Sequence, residues 1–381
     1  MKKLYRILTY VLVFLVGFAA AMSLFTFFGT PARKLGQLEQ LITQCFIGEA
    51  DTKVMEDYAA DAMVASLGDR WSYYATAEEY ETLLEQQENA YVGIGITIIA
   101  DEEEVGFRIV AVQENGTARE AGLQVDDRII SADGQSMEGL GVDDLRSIVR
   151  GQEGTTVHLV VVRGEQELEF DVKRAKILTD VVKCQLLDDG IGLITIANFD
   201  SRCASESIAA IESLRVQGAT SLIFDVRNNP GGYAHEMVEL LDYLLPEGDL
   251  FRTVDYRGSE SVDRSDASFL DMPMVVLCNE DSYSAAEFFA AAIQEYKAGT
   301  VIGMPTCGKG YFQYTYRLSD GSAVGLSVGK YFTPSGKSLA DVGIQPDITV
   351  EVDDDTYAKI YYGQLDPMED PQILAAIDVL K

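Results

Sequence analysis

The sequence predicts an α/β core joined to a small β-module and a helical N-terminal region. Three observations predict this. Over residues 176–350 buried-type runs alternate with helical stretches: GLITIANF, a helix near Ser205–Gln217, SLIFDV, a helix near His235–Leu245, MVVLCN, a helix from about Ser284 to Tyr296, and TVIG. Such alternation is the pattern of a mostly parallel sheet covered by helices. Over residues 89–175 the runs YVGIGITII, FRIVAV and VHLVVV are separated by acidic turns, with one helical stretch at Val142–Val149. Over residues 35–88 the apolar positions Leu35, Leu38, Leu41 and Ile42, then Met55, Tyr58, Ala59, Ala62 and Met63, recur at helical steps. Residues 351–381 are expected to pack on the core or on a partner subunit.

The first 34 residues set the address. Ile7–Phe28 carries no charge over 22 residues, and at ~1.5 Å per residue it reaches roughly 33 Å, enough to cross a bilayer core. Lys2, Lys3 and Arg6 precede it, which orients the rest of the chain to the outside. We read residues 1–34 as a single membrane anchor; the alternative is a signal peptide cut near Ala19-Ala20-Ala21, which would release the protein. Either way the working domains are expected to be extracytoplasmic.

Composition narrows the function. The 381 residues hold 61 acidic and 30 basic side chains, a net charge of −31, and all 61 acids lie beyond residue 34. That balance excludes a general nucleic-acid binder, which needs clustered Lys and Arg. The five cysteines, Cys45, Cys184, Cys203, Cys278 and Cys307, are widely spaced and show no CxxC pair, so they form neither a disulfide framework nor a zinc site. A Cys278–Cys307 bridge is the one pairing open to consideration. With two histidines, His158 and His235, a zinc site built on histidine and a histidine-based catalytic centre are both disfavoured. Gly303-x-x-x-x-Gly308-Lys309 approaches a phosphate-binding loop, but Gly310 stands where a hydroxyl would hold magnesium and a strand follows where a helix is required. No metal, nucleotide or other cofactor is expected.

In an open α/β sheet, chemistry gathers beyond the carboxyl ends of strands. One such junction is SLIFDVRNNPGGY, where Gly231 and Gly232 follow a proline and can turn backbone N–H groups outward. A second is VVLCNEDSYSAAEFF, where Ser284 opens an apolar helix. Ser284-x-x-Glu287 is a capping-box pattern, so this serine either caps the helix or uses the helix start as a nucleophile favoured by the amides there. Lys309, between Gly308 and Gly310, is the remaining candidate base; a lysine serves as one when burial or neighbouring positive charge lowers its pKa.

These strings resemble one known family. NEDSYSAAEFFAAAIQEYKAGTVIGMPTCGKGYFQ and FDVRNNPGG look like the core motifs of the C-terminal processing peptidases, or tail-specific proteases: serine–lysine endopeptidases that carry a PDZ domain. SLGDRWSYY (66–74), GTAREAGLQVDDRIISADG (116–134) and the segment 320–348 resemble further family segments in the same order. The resemblance implies a crotonase/ClpP-like core, a PDZ module, Ser284 as nucleophile, Lys309 as general base and Gln313 as the side chain that orients the lysine. It also implies an oxyanion hole from the amides of Gly231, Gly232 and Ala285, and a homodimer. Contact between positions 309 and 313 would require a bend, for which Gly310 is suited. In the PDZ module Gly93, Ile94, Gly95 and Ile96 are expected to hold a substrate's terminal carboxylate, with β-augmentation alongside. The function expected is a membrane-anchored extracytoplasmic serine endopeptidase that recognises protein or peptide tails; the alternative is a catalytically silent PDZ scaffold.

Overall fold

The computed structural model describes residues 10, 13–18, 31–101 and 105–381. Most of the expected membrane span, Ile7–Phe28, lies outside them. Among the described residues no helix is long and apolar enough to cross a membrane.

The chain divides into two units, the first made of residues up to Thr76 together with Tyr316–Gly325. It contains α1 (Pro31–Cys45), α2 (Thr52–Ala65) and the short strand β1 (Tyr73–Ala75), which pairs antiparallel with residues 323–325. Asp51 caps α2 by accepting the N–H groups of Lys53 and Val54. Leu35, Leu38, Leu41, Tyr58 and Met63, which the helical period placed on apolar faces, are exposed. The expected helical region therefore does not act as one block, because its last helix belongs to the second unit.

The second unit comprises Ala77–Thr315 and Leu326–Lys381. It opens with α3 (Ala77–Gln87) and β2 (Ala90–Gly93), and the β-module then runs through β3 (Ile96–Ala100), β4 (Phe107–Val112), α4 (Thr117–Ala121), β5 (Arg128–Ala132), β6 (Gln135–Ser136), α5 (Val142–Val149), β7 (Thr156–Arg163), β8 (Gln166–Lys173) and β9 (Ala175–Leu178). Strands β3-β4-β5-β7-β8 form one sheet around Phe107, Ile109, Ile129, Leu145 and Leu159, with β3 at its edge. Entry and exit strands β2 and β9 pair antiparallel, so the module closes at Leu178, three residues later than expected.

The α/β core follows with β10 (Val182–Leu187), β11 (Ile191–Ile196), α6 (Cys203–Val216), β12 (Ser221–Asp225), α7 (Ala234–Leu244), β13 (Gly248–Asp255), β14 (Glu260–Ser265), β15 (Met274–Cys278), α8 (Ala285–Glu295), β16 (Gly299–Gly303), β17 (Tyr311–Arg317), β18 (Ala323–Phe332), β19 (Ile348–Thr349), α9 (Asp354–Tyr361) and α10 (Pro371–Leu380). Its main sheet has the order β10-β11-β12-β15-β16-β19 and is parallel except at β10. Strands β12 and β15 are buried at every position because helices cover both faces, which explains their unbroken apolar runs. Helices α6, α7 and α8 pack on one face, and α10 covers the other with Ile373, Ala376 and Ile377 against Ile223, Val275, Leu277 and Ile302. The hairpin β13–β14, absent from the sequence reading, pairs with the 329–332 end of β18. Phe251 and Tyr331 of this second sheet pack against Phe288 of α8.

A buried charge cluster fastens the C-terminal helix. Arg227 lies just past β12 and bonds both oxygens of Asp225, at 2.9 and 2.6 Å, and Asp370 Oδ2 at 2.8 Å. Burial alone would depress the guanidinium, but the two carboxylates carry its pKa above the ordinary arginine value. Asp370 also caps α10 by accepting the N–H groups of Gln372 and Ile373. Asp370→Ala should cost about 3 kcal/mol in urea denaturation, since it removes a cap and part of the compensation of a buried cation. Amide exchange over residues 371–380 should accelerate in that variant.

Candidate active site

Two strand ends meet where the sequence placed its glycine turn and its helix-opening serine. After β12 the chain passes Asn228 and Asn229 into Pro230-Gly231-Gly232; after β15 it passes Asn279 and Ser282 into Ser284. Polar groups stitch the two segments together. Asn279 Oδ1 accepts Asn228 N–H at 2.8 Å, Asn279 Nδ2 donates to Asn228 Oδ1 at 2.7 Å, and Ser282 Oγ donates to Val226 O at 2.7 Å. Tyr283 N–H donates to Asn229 O at 3.1 Å. Asn229, Asn279 and Ser282 are all buried. None was singled out from the sequence, although each sits inside a quoted motif.

Ser284 stands at the head of α8 with φ 58° and ψ −124°. A serine that only caps a helix sits in the extended region, and a non-glycine residue held at positive φ stores roughly 1–3 kcal/mol of strain, a burden found at functional sites. Gly231 explains how the neighbouring turn approaches so closely. It has φ +87°, and a Cβ there would lie 2.7 Å from Ser284 Cβ and 2.9 Å from Ala285 N, so the position excludes any side chain.

A buried carboxylate organises the rest. Glu287, fully buried one turn into α8, accepts four hydrogen bonds: from Ser284 N at 2.9 Å, Lys309 N at 2.8 Å, Gly308 N at 2.7 Å and Thr306 Oγ1 at 2.6 Å. Ser284 N and Lys309 N share the single oxygen Oε2, so these two backbone nitrogens lie within about 6 Å of each other. The structure thus brings the expected serine and lysine to one place. Burial pushes the Glu287 carboxyl above its ordinary range, with the four donors working the other way. Lys309 is half-buried, and its Nζ lies 5.7 Å from the centroid of the Tyr283 ring, within cation–π range.

The remaining expectations divide. Lys309 precedes β17 instead of lying within it, in the 304–310 loop. Gln313 Nε2 donates to Ser327 Oγ at 3.0 Å and to Tyr311 O at 3.2 Å, which fixes the carboxamide on β17 and β18. Gly231 departs from its expected role as an oxyanion donor. Its N–H already donates to Asn229 Oδ1 at 2.8 Å, because the asparagine closes a tight turn over the proline. Each histidine has partners of its own. His158, on β7, has Nδ1 2.8 Å from Asp171, and His235 is exposed beside Tyr233 and Glu236. The five cysteines are free thiols, so Cys278 and Cys307 do not form the bridge considered from sequence. Burial pushes the Cys278 thiol up to about 12.

In the β-module, Gly93–Ile98 of the loop and β3 face Val142, Arg146, Val149 and Arg150 of α5 across a cavity of about 190 Å³. The sequence placed a terminal-carboxylate loop here.

Comparison with known proteins settles the family. Residues 190–350 match the family "Peptidase family S41" and residues 108–163 match "PDZ domain". The carboxy-terminal processing protease CtpA of Bacillus subtilis is 32% identical over 336 residues, which are 87% of this chain and 71% of the relative. The chain belongs to the carboxy-terminal processing proteases of family S41. The carboxyl-terminal-processing protease of Synechocystis is also 32% identical, over 85% of this chain and 77% of its own length. A solved Bacteroides fragilis structure described as an S41 protease covers 90% of this chain and 96% of its own, with a TM-score of 0.52 at 16% identity, a likeness of fold. As a carboxy-terminal processing protease the chain is a serine-type peptidase with a PDZ domain, and the scaffold alternative is not favoured.

In this carboxy-terminal processing protease, Glu287→Gln presents one acceptor oxygen where two serve four donors. The variant should lose about 1–3 kcal/mol of stability and at least tenfold in peptidase activity. The folded chain holds the Glu287 proton more tightly than the unfolded chain does. Its contribution is therefore fully present below the ordinary glutamate value of 4.5 and is lost as pH rises through the raised pKa. The stability difference between wild type and variant, measured by denaturation against pH, should shrink over that interval.

Proposed function

We propose that Ser284 is the nucleophile and Lys309 the general base of this protease. Ser284 Oγ attacks the scissile carbonyl while Lys309 accepts its proton. Lys309 then returns the proton to the leaving amine, and water releases the acyl group by the same route. The observation that carries this reading is the shared Glu287 oxygen, which anchors the backbones of a strained serine and of a half-buried lysine together. The first N–H groups of a helix have no intrahelical acceptor, so Ala285 N–H is available to a developing oxyanion; Gly232 N–H, in the turn packed against Ser284, is the second donor. Gly231 serves as the spacer that lets the turn approach. Gln313 steadies the strand following Lys309 and is assigned to positioning the lysine.

The groove between β3 and α5 is assigned to the substrate's terminal carboxylate, with Gly93, Ile94, Gly95 and Ile96 forming its loop. A Cβ at Gly95, where φ is +80°, would lie 2.6 Å from Gly116 Cα, so this loop position too requires glycine. Ile7–Phe28 supports an N-terminal anchor with the catalytic domains outside the membrane, and the exposed apolar faces of α1 and α2 support association into a homodimer.

An unfolded protein with an apolar C-terminus, incubated with the full chain, should be cleaved by wild type and left intact by Ser284→Ala and Lys309→Ala, with losses of at least a thousandfold. Gln313→Ala should retain measurable but reduced kcat. Cleavage by Ser284→Ala at the wild-type rate would sink the assignment. Sedimentation with membranes that resists high salt and yields to detergent is the result expected for the anchor.

A further inference from the structure

Helix α9 (Asp354–Tyr361) reaches back to the active site through a tyrosine. It is capped by Asp353, which accepts Thr356 N–H at 2.7 Å, and none of its residues is buried. Half-buried Tyr357 connects it to the catalytic loops. The Tyr357 hydroxyl donates to Asp281 Oδ2 and lies 3.4 Å from Asn228 Oδ1. Asp281 stands three residues before Ser284, and Asn228 three residues before Gly231. The phenol thus spans the two segments that meet at the site. Burial, and then the Asp281 acceptor, hold its pKa above the ordinary tyrosine value, so it keeps its proton throughout the neutral range.

The two segments are joined firmly on their buried side, through Tyr283 N–H to Asn229 O and Ser282 Oγ to Val226 O. Their solvent side is looser. Asn279–Ser282 is a tight turn in which Ser282 N–H donates to Asn279 O at 2.9 Å and Asn279 N–H donates to Ser282 Oγ at 3.0 Å. Those bonds fix the ends of the turn, while its central residues, Glu280 and Asp281, are exposed. Asn228 has φ 58°, a left-handed conformation open to asparagine but dependent on its surroundings. Tyr357 bridges this side. Gly232 N–H rides on the first segment and Ala285 N–H on the second, so their separation depends on how the segments are held. Donors to an oxyanion act over roughly 2.7–3.1 Å, so a small splaying weakens contacts made in the transition state and leaves ground-state binding nearly unchanged.

We propose that Tyr357 is a positioning residue for the protease reaction, holding the Asn228 and Asp281 segments at the separation that the two oxyanion donors require. The inference rests on the assignment of Ser284 as nucleophile and of Gly232 and Ala285 as donors. It makes a surface helix part of what sets the turnover rate. The Tyr357 ring stacks 6.4 Å from the Tyr361 ring, a contact that phenylalanine keeps, so Tyr357→Phe removes the hydroxyl alone.

The test uses the full chain and a tail peptide whose cleavage is read by fluorescence. Tyr357→Phe should lower kcat roughly three- to tenfold, the span of one net hydrogen bond, with KM changed less than about twofold. Asp281→Ala should lower kcat by a similar factor, and the double variant should fall no further than either single one, because the two groups share one bond. A peptide aldehyde reads the oxyanion contacts directly: Ser284 Oγ bonds to the aldehyde carbon and leaves its oxygen at the oxyanion donors. Its Ki should rise in Tyr357→Phe by the factor that kcat falls, while inhibition by the cleaved product peptide stays as in wild type. An unchanged kcat, a change carried by KM alone, or losses that multiply in the double variant would overturn the role of Tyr357. Tight aldehyde binding that Tyr357→Phe leaves unaltered removes the Tyr357 assignment alone. If wild type binds the aldehyde no more tightly than the corresponding peptide alcohol, the Ser284 reading falls and this inference falls with it.

Discussion

The backbones of Ser284 and Lys309, the proposed nucleophile and base, are both fastened to one buried carboxylate. Glu287 receives the amide of Ser284 from its own helix and the amides of Gly308 and Lys309 from a loop that follows β16, with the Thr306 hydroxyl as a fourth donor. Burying a carboxyl is costly unless its lone pairs are met, and meeting them dictates the local backbone. The loop must curl so that successive N–H groups point at one side chain, and the serine must turn its own N–H back toward the helix. The positive φ of Ser284 is the strain that this geometry holds in place.

Around that centre, polar groups fix what apolar packing leaves loose. Apolar runs bring β12 and β15 side by side, but the paired amides of Asn228 and Asn279 set how their ends face each other. The same logic joins the PDZ module to the core. Asn89, between α3 and β2, exchanges side-chain hydrogen bonds with Asn198 and donates to buried Asp200 at 3.1 Å. Phe199, between these two core residues, accepts Tyr233 N–H and donates to Gly231 O. The tether of the PDZ module and the turn beside Ser284 are thus bonded to adjacent residues of one loop.

Much of this was legible in the sequence, for physical reasons. The helix at Val142–Val149, the α/β alternation and the strand ends bearing Ser284 and Gly231 are local patterns of period and turn chemistry. With only two histidines in the chain, Lys309 stands out as the candidate base. What the sequence concealed depends on distant partners. Ser284-x-x-Glu287 reads as a capping box, and Glu287 does accept the serine amide; its three other donors lie 19 to 22 residues further along. The sequence shows a glycine turn but not that the Asn229 side chain occupies the Gly231 amide. The β13–β14 hairpin escaped notice because its polar, weakly alternating strands lie partly exposed. The expected membrane segment, Ile7–Phe28, falls largely on residues outside the described structure.

As the proposed nucleophile, Ser284 would carry the covalent acyl intermediate. The most direct measurement mixes the full chain with an activated ester of a tail peptide, quenches in acid before steady state, and maps the acylated segment by mass spectrometry. A peptide adduct on Ser284 that builds within the first turnover is the expected result. An adduct on Cys307 or another nucleophile, or product formation with no adduct at any time point, would contradict it.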